Sequence, residues 1–129
     1  MSLLPGVIVV FQKALPVIAK QLPKLWPLLL ESKNREKLMS LAKDLASASP
    51  KRKLAARMNV TELLAERLAE EAEDVSQRQR AAEWRSRTRK MRARLDMPVE
   101  GIQARRVHRA SLHDDLAALH REMSESLRT

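Results

Sequence analysis

Beyond residue 30 the chain is dominated by Ala, Leu, Glu and Arg, and only Gly101 supplies glycine freedom there. Residues of this kind favour helix over the alternatives. An all-α fold is therefore the expectation, and 129 residues leave room for one small domain. The same scarcity excludes several functions. Gly6 and Gly101 stand too far apart to form a dinucleotide fingerprint or a phosphate loop. The absence of cysteine removes disulfide frameworks and thiolate zinc sites. Phe11, Trp26 and Trp84 are a poor supply of platforms for stacking single-stranded bases.

Charge is segregated along the chain rather than mixed, within a formal net charge of +9. Residues 31–59 carry eight basic and three acidic side chains, 60–77 carry one and six, and 78–95 carry eight and one. These shifts divide the sequence into four stretches, 1–30, 31–58, 59–96 and 97–129.

The first stretch is apolar and contains no formal charge before Lys13. Twelve uncharged residues fall short of the roughly 18 that suggest a spanning helix. A basic leader and a small-residue cleavage site are also lacking, so a signal peptide is not expected. On a helical wheel at about 100° per residue, Lys13, Lys20 and Lys24 share one strip with Pro5, Pro16, Pro23 and Pro27 beside them. The opposite arc carries Phe11, Ile18, Leu22, Trp26 and Leu29 among other aliphatics. A lysine at a bilayer centre costs about 2.5–3.5 kcal/mol and a large aliphatic returns about 0.3–0.6 kcal/mol, so crossing is not clearly favoured. Lying in the interface, with the lysines reaching toward phosphates, satisfies both faces. The prolines make this a kinked amphipathic helix. The alternatives are that they divide it into short helices, or that its apolar face forms a soluble core.

A short second helix is expected over 32–47, with Leu38, Leu41, Ala42 and Leu45 on one face. Ser49-Pro50 reads as a cap followed by proline at the first helical position, opening a basic stretch that starts Lys51-Arg52-Lys53. Asn59 with Glu62 suggests a helix start of the capping-box type, followed by one long helix to Leu95, acidic first and basic second. Within it Leu68, Ala72, Val75, Gln79 and Ala82 have the spacing of a thin antiparallel dimer seam. Pro98 and Gly101 break the helix. In the last helix Leu112, Leu116, Leu119 and Met123 form a seam expected to bind a protein partner. The four helices are expected to be extended or loosely bundled.

Arg78, Arg80, Arg85, Arg87, Arg89, Lys90, Arg92 and Arg94 spread around their helix, and with Trp84 and Met91 the only large apolar groups among them this half is expected to bury little in its own chain and to need a counter-charge. Arginine pairs bidentately with phosphate, so nucleic acid, anionic headgroups and acidic protein all qualify. A second copy aligned antiparallel, or a fold-back within the chain with the acidic half meeting basic residues 51–57, would also supply acid. A basic-zipper reading fails because that architecture runs unbroken into its zipper, whereas Pro98 and Gly101 interrupt the chain here. His108, His113 and His120 have no His, Asp or Glu three or four residues away. They read as exposed surface histidines, with no metal site, cofactor, catalytic set or small-molecule substrate implied.

The sequence thus points to a non-enzymatic, cytoplasmic, membrane-peripheral adaptor or scaffold. Phe11, Ile18, Leu22, Trp26 and Leu29 would anchor it, Lys13, Lys20, Lys24, Lys51, Arg52 and Lys53 would contact anionic headgroups, and the later helices would hold a protein partner or a second copy. The alternatives are a nucleic-acid-binding protein using residues 78–94 and a soluble subunit of a larger complex.

Overall fold

A computed structural model of the chain describes Lys13 and residues 35–128. Lys13 is helical and exposed. The rest of the expected N-terminal amphipathic segment lies outside the described residues, including Phe11, Ile18, Lys20, Leu22, Lys24, Trp26 and Leu29. The described residues form an all-α fold of four helices without strands: α1 (Arg35–Leu45), α2 (Pro50–Glu70), α3 (Val75–Asp96) and α4 (Ile102–Arg128). None of these is long and apolar enough to cross a membrane.

Helix α2 starts where Ser49-Pro50 predicts. The Ser49 hydroxyl accepts from the Arg52 amide at 3.2 Å, and Pro50 occupies the first turn, where its missing N–H costs nothing. Asn59, expected to begin a helix, instead lies in the middle of α2.

The long helix expected over residues 59–95 is two helices. Asp74 is extended (φ −138°, ψ 170°) and caps α3 by accepting from the Gln77 amide at 2.8 Å. The Gln77 side chain reaches back to accept from the Glu73 amide at 3.1 Å. This reciprocal arrangement, a close variant of the capping box, satisfies amide donors that a continuous helix would have used within itself. A cap of this type contributes about 1 kcal/mol, enough to favour a break where propensity is otherwise uniform. The expected dimer seam is interrupted accordingly, and Val75 is 62 % exposed.

Side-chain pairs fix the directions of the helices. Glu62 and Glu66 of α2 meet Arg89 and Arg85 of α3, a descending register that makes this pair antiparallel. Arg94 and Arg87 of α3 meet Asp115 and Glu122 of α4, again antiparallel. Arg57 and Thr61 of α2 meet His113 and His120 of α4, an ascending register. Helices α2 and α4 are therefore parallel and begin at the same end of the bundle.

Helix α2 is central. Leu54, Met58, Thr61 and Ala65 are buried on one arc, and Ala56, Val60, Leu63 and Arg67 on the opposite arc. A helix covered on both sides belongs to the interior of a bundle, and α2 packs against α1, α3 and α4. Helix α3 contributes Ala81, Trp84, Thr88, Met91 and Leu95 to the core. The expectation that this Arg-rich helix buries little in its own chain is thereby corrected. Thr88 fits among apolar neighbours because its hydroxyl donates to the Trp84 carbonyl at 2.8 Å.

Leu112, Leu116, Leu119 and Met123 are buried to 2 % exposure or less within this chain. They pack in the common core with α2 and α3, so the seam read as a partner surface serves the chain's own fold. The spacing was correct for helix packing but could not specify whose helix would fill it. Helix α4 begins after Gly101, whose φ of +92° is accessible to glycine at little cost, and the Gly101 carbonyl accepts from the Arg105 amide at 3.0 Å.

Candidate functional site

The Arg-rich stretch finds its counter-charge internally. Arg85 meets Glu66 at 2.8 Å and Arg94 meets Asp115 at 2.9 Å. Arg87 pairs with Glu122, Arg89 with Glu62, and Arg92 with Asp96 four residues on. Glu62 holds the Arg89 guanidinium pKa above its ordinary value through a side-chain hydrogen bond. Arg80 donates to the Ser126 hydroxyl at 2.7 Å. Of the eight cations expected to contact a polyanion or acidic partner, Arg78 and Lys90 have neither an ion pair nor a side-chain hydrogen bond among the described residues. The fold-back occurs, but the acid of α2 meets Arg85 and Arg89 rather than residues 51–57.

The opposite situation holds where α2 and α4 begin. A solvent-open groove, a cavity of about 310 Å³, lies between them, lined by Pro50, Lys53, Leu54 and Arg57 from α2 and by Arg109, Ala110 and His113 from α4. A neighbouring one of about 420 Å³ is lined by Lys51, the Leu95–Gly101 turn, Arg105, His108 and Arg109. Arg109 borders both. Lys51, Lys53, Arg105 and Arg109 make no side-chain hydrogen bond or ion pair among the described residues. The carboxylates at the second cavity are Asp96, already held by Arg92 at 2.7 Å, and Glu100. The first cavity has no carboxylate in its lining.

Helix polarity adds to this positive field. Neither α2 nor α4 has an acidic residue in its first turn, although the positive end of a helix favours one. Helix α2 instead opens with Lys51, Arg52 and Lys53. Because the two helices are parallel, their positive ends face the same way. Repulsion among these groups is moderated by solvent, as Lys51, Arg52 and Arg105 are exposed.

Arg57 and the histidines set the cleft's inner geometry. Arg57 Nη1 donates to His113 Nε2 at 2.7 Å, which requires that nitrogen to be unprotonated. Arg57 Nε is buried without a hydrogen-bond partner. His108 Nε2 donates to the Arg94 carbonyl at 2.7 Å and ties the start of α4 to the end of α3. His120, expected at the surface, is buried. Thr61 Oγ1 donates to the Arg57 carbonyl at 2.7 Å, so His120 Nε2 donates to Thr61 Oγ1 at 2.8 Å. Burial, reinforced by the Arg57 guanidinium and by proximity to His113, pushes the His120 imidazole down to about 4. The described residues contain no cluster of His, Cys, Asp or Glu able to hold a metal ion.

Of the headgroup contacts expected from sequence, Lys51 and Lys53 line these cavities, while Arg52 is exposed in the same helical turn. Sequence reasoning missed Arg57, Arg105, Arg109 and His113. The run Arg105-Arg106 followed by Arg109 was visible, but its segment 97–129 is neutral overall, with five basic and five acidic side chains, and only the parallel approach of α2 and α4 gathers the two basic runs. No family model, curated protein or solved structure matches this chain.

Proposed function

We propose that the chain is a non-enzymatic helical adaptor that works at the surface of an anionic membrane. The observation that carries this reading is the contrast between the two sets of cations. Those of α3 are largely neutralised within the fold, whereas Lys51, Lys53, Arg105 and Arg109 are left without carboxylate partners at one end of the bundle. Exposed Met97, Ile102 and Val107 lie in the same turn and first half of α4. Cations interspersed with apolar side chains suit an interface where charge meets phosphate and methyl groups meet the acyl boundary. Each basic group near such a surface contributes about 1 kcal/mol. The amphipathic sequence over residues 3–30 would supply the insertion that charge alone does not.

Co-sedimentation with vesicles tests the reading. The full chain should pellet with phosphatidylcholine–phosphatidylserine vesicles and much less with phosphatidylcholine alone. Leu22→Glu with Trp26→Glu should abolish pelleting, as should removal of residues 1–30, and added salt should weaken it. A full chain that stays in the supernatant with anionic vesicles at low salt defeats the proposal. Retention on DNA with a steep loss in salt, and no vesicle binding, would favour the nucleic-acid alternative.

A further inference from the structure

We propose that the cavity between the first halves of α2 and α4 is a binding site for a phosphate monoester, with Lys53, Arg57, Arg109 and His113 as its ligating groups. Three cations and an imidazole line a space that no carboxylate enters. Elsewhere in the described fold, four arginines that meet a neighbouring helix find acid, Arg85 with Glu66, Arg87 with Glu122, Arg89 with Glu62 and Arg94 with Asp115, while Arg80 meets the Ser126 hydroxyl. Charge neutralisation across helices is this chain's ordinary practice, and the cleft departs from it.

The contrast between Arg57 and Arg85 sharpens the point. Both have a buried Nε without a partner, but Arg85 holds the Glu66 carboxylate, whereas the side-chain partner of Arg57 is the imidazole of His113. Arg57 thus retains an unneutralised guanidinium at the wall of a cavity. Local rules broken without a folding benefit mark a site that another molecule completes. Here the broken rule is electrostatic, and the missing component is an anion.

Its chemical class follows from charge and shape. A phosphate monoester carries about −1.5 to −2 at pH 7 and presents three acceptor oxygens, a match for several convergent donors. Guanidinium groups bind such oxygens bidentately, while lysine contributes a point charge. A diester carries one charge and offers fewer free oxygens. The groove, about 310 Å³ and open to solvent, is wide enough for a phosphate headgroup. Phosphatidic acid and small soluble phosphate esters share this chemistry. The lipid source rests on the membrane reading above; the site itself does not.

The test uses the full chain with two probes. Inorganic phosphate is titrated at constant ionic strength and followed by calorimetry or by amide chemical shifts of α2 and α4. In parallel, phosphatidylcholine vesicles containing phosphatidic acid are compared with vesicles containing phosphatidylserine at matched surface charge. Arg109→Gln and Lys53→Gln should each weaken phosphate binding by about tenfold or more and remove the preference for phosphatidic acid, with unchanged circular dichroism. Arg121→Gln, an equal change in net charge on the same helix outside the cleft, should leave both unaltered.

Saturable phosphate binding lost in the cleft variants supports the site, with or without vesicle binding. If the full chain binds phosphate but no vesicle, the site stands for a soluble ester and the membrane reading falls. If phosphate does not bind and phosphatidic acid is not preferred, the site is refuted even where phosphatidylserine vesicles bind. Equal weakening by Arg121→Gln would reduce the effect to diffuse attraction and overturn the proposal as well.

Discussion

At the residue scale, the Thr61–His120 pair shows how a polar couple can sit inside a small helical core. The threonine hydroxyl has one proton, which goes to the Arg57 carbonyl, and its lone pair then receives the imidazole N–H. This hydrogen bond survives protonation, because the Nε2–H is kept; what disfavours the charged imidazole is burial and the nearby Arg57 guanidinium. With the imidazole lowered to about 4 from 6.5, the native form binds a proton more weakly than the unfolded chain does. The resulting stability is complete above the unfolded value and is lost as pH falls through the folded one. The expected slope is roughly 1.4 kcal/mol per pH unit between those limits, about 3 kcal/mol in all. Urea midpoints measured across this range should show the fall, and His120→Gln should flatten it. An unchanged slope in that variant would assign the acid sensitivity to other groups. Sequence could not separate His120 from His108 and His113, since all three lie in helical sequence without an acidic or histidine partner three or four residues away. Only the approach of α2 identifies the buried one.

At the scale of elements, the caps and breaks were partly legible and the partners of each face were not. Ser49-Pro50 and Pro98–Gly101 mark real helix limits because proline and glycine act through local geometry, whatever surrounds them. Asp74 with Gln77 carried a comparable signal, but the helix-favouring residues on either side hid it. The seam Leu112, Leu116, Leu119 and Met123 reads in the sequence as a packing stripe, and in the structure the chain's own α2 and α3 cover it. Its burial leads to a direct expectation. Leu119→Ala should destabilise the monomer by about 2–5 kcal/mol through the cavity it leaves, measured by urea unfolding, while sedimentation of the folded variant stays unchanged. Loss of self-association at constant stability would restore the seam to a partner surface. The Arg-rich helix buries more than its sequence suggests for a related reason. Small and polar residues, Ala81 and Thr88, complete a buried stripe with Trp84, Met91 and Leu95, and a count of large apolar groups misses them.

At the scale of the whole molecule, the charge blocks seen along the sequence become two poles. The α2–α3 turn carries Glu70, Glu71, Glu73 and Asp74, with Arg67 binding the first two, and the opposite end gathers the basic runs of α2 and α4. The order of those runs in the chain has a further consequence. Helices α2 and α3 are neighbours in sequence and close over a short turn, whereas the α2–α4 pairs join residues 56 and 59 positions apart. Helix α4 packs on α2 and α3 less extensively than those two pack on each other, so α4 is expected to seat last and open first. Native-state hydrogen exchange should find its amides less protected than those of α2. The cleft exists only while α4 is seated, which couples occupancy to the final docking step. Phosphate that binds there would act as a latch, slowing exchange along α4 and raising the melting temperature with its concentration, while leaving the hairpin of α2 and α3 largely indifferent.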